Sequence, residues 1–178
     1  MLITYVYVIL ASALRLLPHP WNITPIGPMF LFSGAVFRNK RESLLVPLAA
    51  LLVTDYAVIH FLYHGQYAWS SPYTWLGFVL VGLIGWTLRA KATWARVVIA
   101  SIAGSVVFFL VTNLGVWLQW NMYPRTLGGL IECYAAALPF FRNTVLGDLA
   151  YAAAMFGSYH LLQHRLLEHR RERVAASS

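Results

Sequence analysis

The sequence predicts an all-α fold, an integral membrane bundle of six helices, and three observations predict it. Sixty per cent of the 178 residues are hydrophobic and only 11% are charged, against about 25% charged in a typical soluble domain. The mean hydropathy is +0.64, so the apolar surface has too few polar side chains to cover it. Apolar runs recur along the chain, and the basic residues gather in alternate connections between them. The length suits one domain.

A helix needs about 20 mainly apolar residues to cross the hydrocarbon core, and shorter runs span when tilted or flanked by snorkelling residues. Six spans follow, at about 2–17, 24–37, 43–63, 72–88, 94–118 and 141–162. The first stops at Pro18-His19-Pro20. Ala11-Ser12-Ala13 resembles a signal-peptidase site, but no basic residue precedes the apolar run, so the segment reads as a retained helix. The second span is short and carries Pro25 and Pro28, tolerable in a first turn where the N–H has no partner anyway; a re-entrant segment is its alternative. A polar stretch runs from Gln119 to Gly129. Ile131 to Phe141 contains Pro139 and is too short to span, so an oblique entry is predicted before the sixth span. The charged tail, 164–178, is expected to fray after one or two turns.

Charge placement sets the orientation. Arg38, Lys40 and Arg41 lie between spans two and three, Arg89, Lys91 and Arg96 between four and five, and Arg165, Arg170, Arg171 and Arg173 after span six. The positive-inside rule makes their shared side cytoplasmic, with both termini there, in a bacterial cytoplasmic membrane. Ten positive charges against Glu42, Glu168 and Glu172 leave that side with the whole +7. Arg15, Arg125 and Arg142 balance Asp55, Glu132 and Asp148 elsewhere. The basic pI is therefore a record of topology, and no nucleic-acid motif accompanies it.

Several classes of chemistry are excluded or weakened. One cysteine permits no internal disulfide and no CxxC site. The six histidines show no HExxH spacing, no cofactor is implied, and no GxxxxGK[ST] loop is present to hydrolyse ATP. Asn22-Ile23-Thr24 matches a glycosylation sequon in a tight turn, a weak match.

Candidate site residues come from the polar groups set among apolar ones. Charges within spans are costly and face the bundle interior or a cavity. Arg15, Asp55, Arg142 and Asp148 all fall in the outer half, together with Asn22, Asn113 and Asn143. An outward-facing ligand pocket is one reading; a structural pair such as Arg15 with Asp148 is the other. Trp117 and Tyr123 belong to an outer aromatic group with Pro20, Trp21, Tyr63, His64, Tyr67, Trp69 and Trp120, which reads as an interface belt or as walls for a flat ligand. The inner side has only Trp86 and Trp94 to match it. Cys133 is a further candidate, and its bland reading is a small buried hydrophobe. Ala100 and Gly104 with Ser101 and Ser105 on span five, and Ala150 and Ala154 on span six, are predicted helix-contact faces.

Two resemblances follow. Arg15-x-x-Pro18-x-Pro20-x-Asn22-x-Thr24-Pro25, Asp55, Phe108-Phe109-x-x-Thr112-Asn113-x-Gly115-x-Trp117, Tyr123-Pro124 and Cys133-Tyr134-x4-Pro139-Phe140-Phe141-x-Asn143 resemble an uncharacterised bacterial family of small integral membrane proteins. That resemblance implies no activity. By size, helix number and outer pocket, the chain also resembles the S component of energy-coupling factor (ECF) transporters. This second resemblance implies vitamin-like ligand binding from outside, with an ECF-type transmembrane subunit and ATPases as partners. That family's first helix shows an Ala-x-x-x-Ala docking face, whereas here Ala11 is followed four residues later by Arg15.

The expected function is therefore uptake or binding of a small organic micronutrient, vitamin-like or nucleobase-like, with the bilayer and the solute as partners. Two alternatives stand beside it. One is an intramembrane enzyme using Asp55 or Asp148 and Cys133; the other is a non-catalytic subunit of a membrane complex.

Overall fold

The computed structural model describes residues 2–17, 22–62 and 70–176, which form six α-helices and no strand. They are α1 (Leu2–Arg15), α2 (Ile26–Val36), α3 (Lys40–Ala57), α4 (Pro72–Gly85), α5 (Trp94–Gln119) and α6 (Leu127–Ala176). A π-turn, Val58–Leu62, extends α3, and a 3-10 turn, Trp86–Leu88, closes α4. Glu42–Phe61 and Trp94–Gln119 are long and apolar enough to cross a membrane; Leu2–Arg15, Ile26–Val36 and Pro72–Leu88 are shorter apolar helices.

Local signals explain the helix starts. Asn39 caps α3 by accepting from the Arg41 N–H at 2.9 Å, and its amide donates to Glu42 at 3.2 Å, a reciprocal arrangement related to the capping box. Ser71 caps α4, accepting from the Tyr73 N–H at 3.2 Å, with Pro72 in the first turn where it costs no hydrogen bond. Neither α2 nor α5 has a side-chain cap, so their first N–H groups are left for other partners.

Helix α2 is the core. Every residue from Ile26 to Gly34 is buried, and α1, α3, α4, α5 and α6 all pack on it. At about 1.5 Å per residue its 11 residues cover roughly half the hydrocarbon thickness, yet its backbone is sheathed in protein throughout. Glycines permit the closest approach. A side chain on Gly34 would collide with the Gly82 carbonyl, and one on Gly85 with the Leu31 carbonyl, so α2 and α4 meet backbone to backbone. Aromatic rings fill the remaining space: Phe30 stacks on Phe78 at 5.6 Å, and Phe32 meets Phe156 edge-on at 5.3 Å.

The helices alternate in direction. At one end, called here the basic end, the Tyr5 hydroxyl donates to Glu42, the Trp86 indole to Ser43, and Lys40 sits over the Trp86 ring. At the opposite end Arg15 bonds Asp55, and Ser71 donates to Gln119.

Three expectations need correction. The 131–141 stretch is not a separate oblique segment, because α6 runs unbroken through Pro139. Proline removes one helical hydrogen bond, but α5 clamps the helix on both sides of it. The Tyr134 hydroxyl donates to the Leu110 carbonyl at 2.7 Å, and Phe141 packs on Phe109 at 4.7 Å. The tail does not fray after one or two turns; α6 continues to Ala176. Ala150 and Ala154 are exposed, and Ala152 is the alanine that α6 buries. On α5 the small face does pack inward: Ala100, Ser101, Gly104 and Ser105 are buried, with Gly104 against Val81.

Candidate functional site

Two carboxylates stand inside the helical bundle, and their surroundings differ. Asp55 is 2% exposed. Arg15 Nη2 donates to its Oδ1 at 2.5 Å, and Trp75 Nε1 donates to its Oδ2 at 3.1 Å. Arg15 Nη1 also donates to Thr54 Oγ1 at 2.8 Å. Each carboxylate oxygen thus has a donor, and α1, α3 and α4 are tied together. The structural pair is Arg15 with Asp55, not Arg15 with Asp148.

Asp148, on α6, has fewer partners. Ser105 Oγ lies 2.6 Å from its Oδ2, but the same hydroxyl lies 3.0 Å from the Ser101 carbonyl. A hydroxyl has one proton to donate, so the two acceptors compete for it. Asp148 Oδ1 rests against Gly27, where an added Cβ would come within 2.8 Å. Gly27 opens α2, whose uncapped N-terminus carries a partial positive charge and suits a carboxylate.

A cavity of about 180 Å³ opens beside this group, walled by Asp148, Arg15, Asn22, Thr74 and Phe108 among others. A second, of about 330 Å³, shares Asn22, Phe108 and Thr144 with it and adds Asn113, Phe109 and Phe141. Asn22 adopts φ 60°, a left-handed conformation that asparagine tolerates better than most residues, and it turns the chain into α2 between the two cavities. Because Arg15 is paired with Asp55, Asp148 is the acid of this site with no cationic partner among the described residues. The walls combine aromatic faces with the hydroxyls of Thr24, Ser70, Thr74 and Thr144.

Of the predicted site residues, Arg15, Asn22 and Asp148 meet at the first cavity, and Asn22 and Asn113 at the second. The Asn113 side-chain amide donates to the Phe109 carbonyl one turn back, at 2.8 Å. Asp55 is engaged as described. Trp117 instead holds the loop after α5, donating to the Pro124 carbonyl at 2.9 Å beneath the Arg125 guanidinium. Tyr123 is half-buried in that loop. Cys133 is buried and donates to the Asn113 carbonyl at 3.5 Å. Arg142 is exposed and Asn143 half-buried. The aromatic and proline positions at 18–21 and 63–69, including Pro20, Trp21, Tyr63, His64, Tyr67 and Trp69, lie outside the described residues. Among those described, no cluster of His, Cys, Asp or Glu is arranged to hold a metal ion.

Sequence reading missed Trp75, Thr74 and Thr144, and placed Ser105 only on a helix-contact face. Only Thr144 carried a usable signal, since it precedes Asp148 by four residues and so shares its helix face.

No curated protein matches the chain, and no solved structure matches it. One family model does, over residues 1–172. The extent of that match settles membership: the chain belongs to the family described as "Family of unknown function (DUF6580)".

Proposed function

We propose that the protein is a multi-pass membrane protein, both termini cytoplasmic, that binds a small organic solute in the cavity pair around Asp148. The membrane reading is supported by an inverted surface. Large apolar side chains such as Ile9, Val53, Ile99 and Leu161 are 65–68% exposed, while Asp55, Ser33 and Ser105 are buried. Exposed apolar surface on this scale marks a partner or a bilayer, and the helices Glu42–Phe61 and Trp94–Gln119 have the length to span one.

The single observation that carries the ligand reading is the under-bonded Asp148 carboxylate at the wall of a cavity. Ligand sites are mostly apolar, with a few convergent polar groups, and occupy roughly 300–1,000 Å³. The larger of the two adjoining cavities reaches that range. A carboxylate flanked by Phe78 and Phe108 suits a flat heterocycle bearing an N–H donor or a cationic nitrogen, in keeping with a vitamin-like or nucleobase-like solute. Purification in mild detergent followed by mass spectrometry of bound small molecules tests this. A bound heterocycle whose retention falls in Asp148→Asn is expected. Its absence, together with no thermal shift across a vitamin and nucleobase panel, would sink the reading.

Coupling to an ECF-type module through α1 gains no support. Ala11 is only 3% exposed and Arg15 is held by Asp55, so α1 offers no outward Ala-x-x-x-Ala face. The intramembrane-enzyme reading also gains none, because the Cys133 thiol donates to a main-chain carbonyl and no base is bonded to it among the described residues.

A further inference from the structure

The basic end holds a third cavity, of about 590 Å³, between α2, the turn joining α4 to α5, and α6. Arg89, Lys91, Thr93, His160 and Gln163 supply its polar wall, and no Asp or Glu lines it. Glu42, at the same end of the bundle, is engaged by Tyr5 and Asn39.

Arg89 is the informative residue. Its Nη1 donates to the Arg38 carbonyl at 3.3 Å, while Nε and Nη2 are buried and have no acceptor among the described residues. Buried donors left unpaired are costly, more so on a charged group, and a guanidinium presents its N–H groups in a fork that matches oxyanions. A second, independent feature reaches the same cavity. Thr93 precedes the 26-residue α5 without a side-chain cap, so the first N–H groups of a long helix are open to an anion. Arg96, another cation with no acceptor atom of its own to offer, donates to the Thr87 carbonyl at 2.6 Å. Val36, Trp94, Val97 and Phe156 make the rest of the wall largely apolar.

We propose that this cavity binds a phosphate oxyanion attached to an apolar body, with Arg89, Lys91 and the α5 N-terminus as its donors. Two sources present that chemistry: the headgroup of an acidic phospholipid and a phosphorylated small molecule. The site is separate from the Asp148 cavities and does not depend on their having a ligand.

The test uses the full chain, delipidated in neutral detergent. Its thermal midpoint is followed with phosphatidylglycerol, phosphatidylcholine or inorganic phosphate added at matched ionic strength. A rise with phosphatidylglycerol and none with phosphatidylcholine assigns the site to an acidic lipid; a rise with inorganic phosphate assigns it to the phosphate group alone. Lys91→Gln and His160→Gln alter exposed side chains and should fold. Lys91→Gln should weaken the apparent affinity by about fivefold, as loss of one cation near a phosphate does, and Arg89→Lys should weaken it further by removing the fork. No rise with either phosphate source overturns the proposal. So does an equal rise with phosphatidylcholine, or a rise unchanged in all three variants.

Discussion

Asp55 and Asp148 are both carboxylates set into largely apolar helices, and the comparison between them separates architecture from chemistry. Asp55 has a guanidinium on one oxygen, an indole N–H on the other and 2% exposure. Nothing remains for a solute to bind. Asp148 shares one hydroxyl with a competing carbonyl, leans on an uncapped helix start and borders open space. An acid whose bonds are all met locks helices; one left under-bonded beside a cavity is where we propose that a solute is recognised.

The sharpest way to break that contrast is to strip Asp55 of its cation. Arg15→Ala should cost about 3–5 kcal/mol, the penalty for leaving a buried charge unpaired, read as a lowered thermal midpoint in detergent. Replacing the pair together, Arg15→Met with Asp55→Leu, should recover most of the loss; no recovery would mean that the pair has a role beyond locking helices.

A smaller effect is expected at Gly27. Gly27→Ala places a Cβ within 2.8 Å of the Asp148 carboxylate and should cost about 1–3 kcal/mol through overpacking, while displacing Asp148 and reducing solute retention. Full retention would show that the position of that carboxylate is not critical.

Asp148→Asn keeps the shape and an acceptor for Ser105. Its stability cost should stay near or below about 1 kcal/mol, within the range of one ordinary hydrogen bond, but solute affinity should fall at least about tenfold, or about 1.4 kcal/mol. Equilibrium binding of the solute found in the purified protein measures this. A large stability loss with affinity intact would move Asp148 into the same class as Asp55.

The smallest effect is expected at Cys133. Cys133→Ala should leave solute affinity unchanged within about twofold, a shift of under roughly 0.5 kcal/mol, since the thiol bonds only a carbonyl of its neighbouring helix. Loss of binding would return the cysteine to the site.

The polar members of the site were legible because a charge or an amide stands out in an apolar run; this is why Asp148, Asn22 and Asn113 could be named. Pairing was not legible. Asp55 and Asp148 both fall in the half of their helices near Arg15, and helical periodicity does not say which acid turns toward α1. Trp75 is silent in the sequence and Ser105 reads only as a small packing residue, because an indole and a hydroxyl blend into the apolar pattern until a partner is seen. In the sequence, Pro139 marks 131–141 off from the sixth span, whereas in the fold Tyr134 and Phe141 bracket the proline and fasten it to α5. The interior position of α2 depends on glycines far away in sequence, Gly82 and Gly85, and no local property of 26–36 announces it.

That enclosure has a consequence for biogenesis. In the bilayer proposed here, α2 is too short to rest stably as a lone transmembrane segment, and it faces lipid along almost none of its length. Its cover is completed only when α6, the latest of the six helices in chain order, brings Phe156 and Tyr159 onto Phe32 and Ser158 onto Tyr7, 151 positions upstream. Chains truncated after α5 should therefore leave α2 accessible to protease, or to thiol labelling at a cysteine introduced into it, while full-length chains protect it. Assembly is closed from the sixth helix back to the first two, so quality control has until α6 is synthesised to find an unprotected second helix.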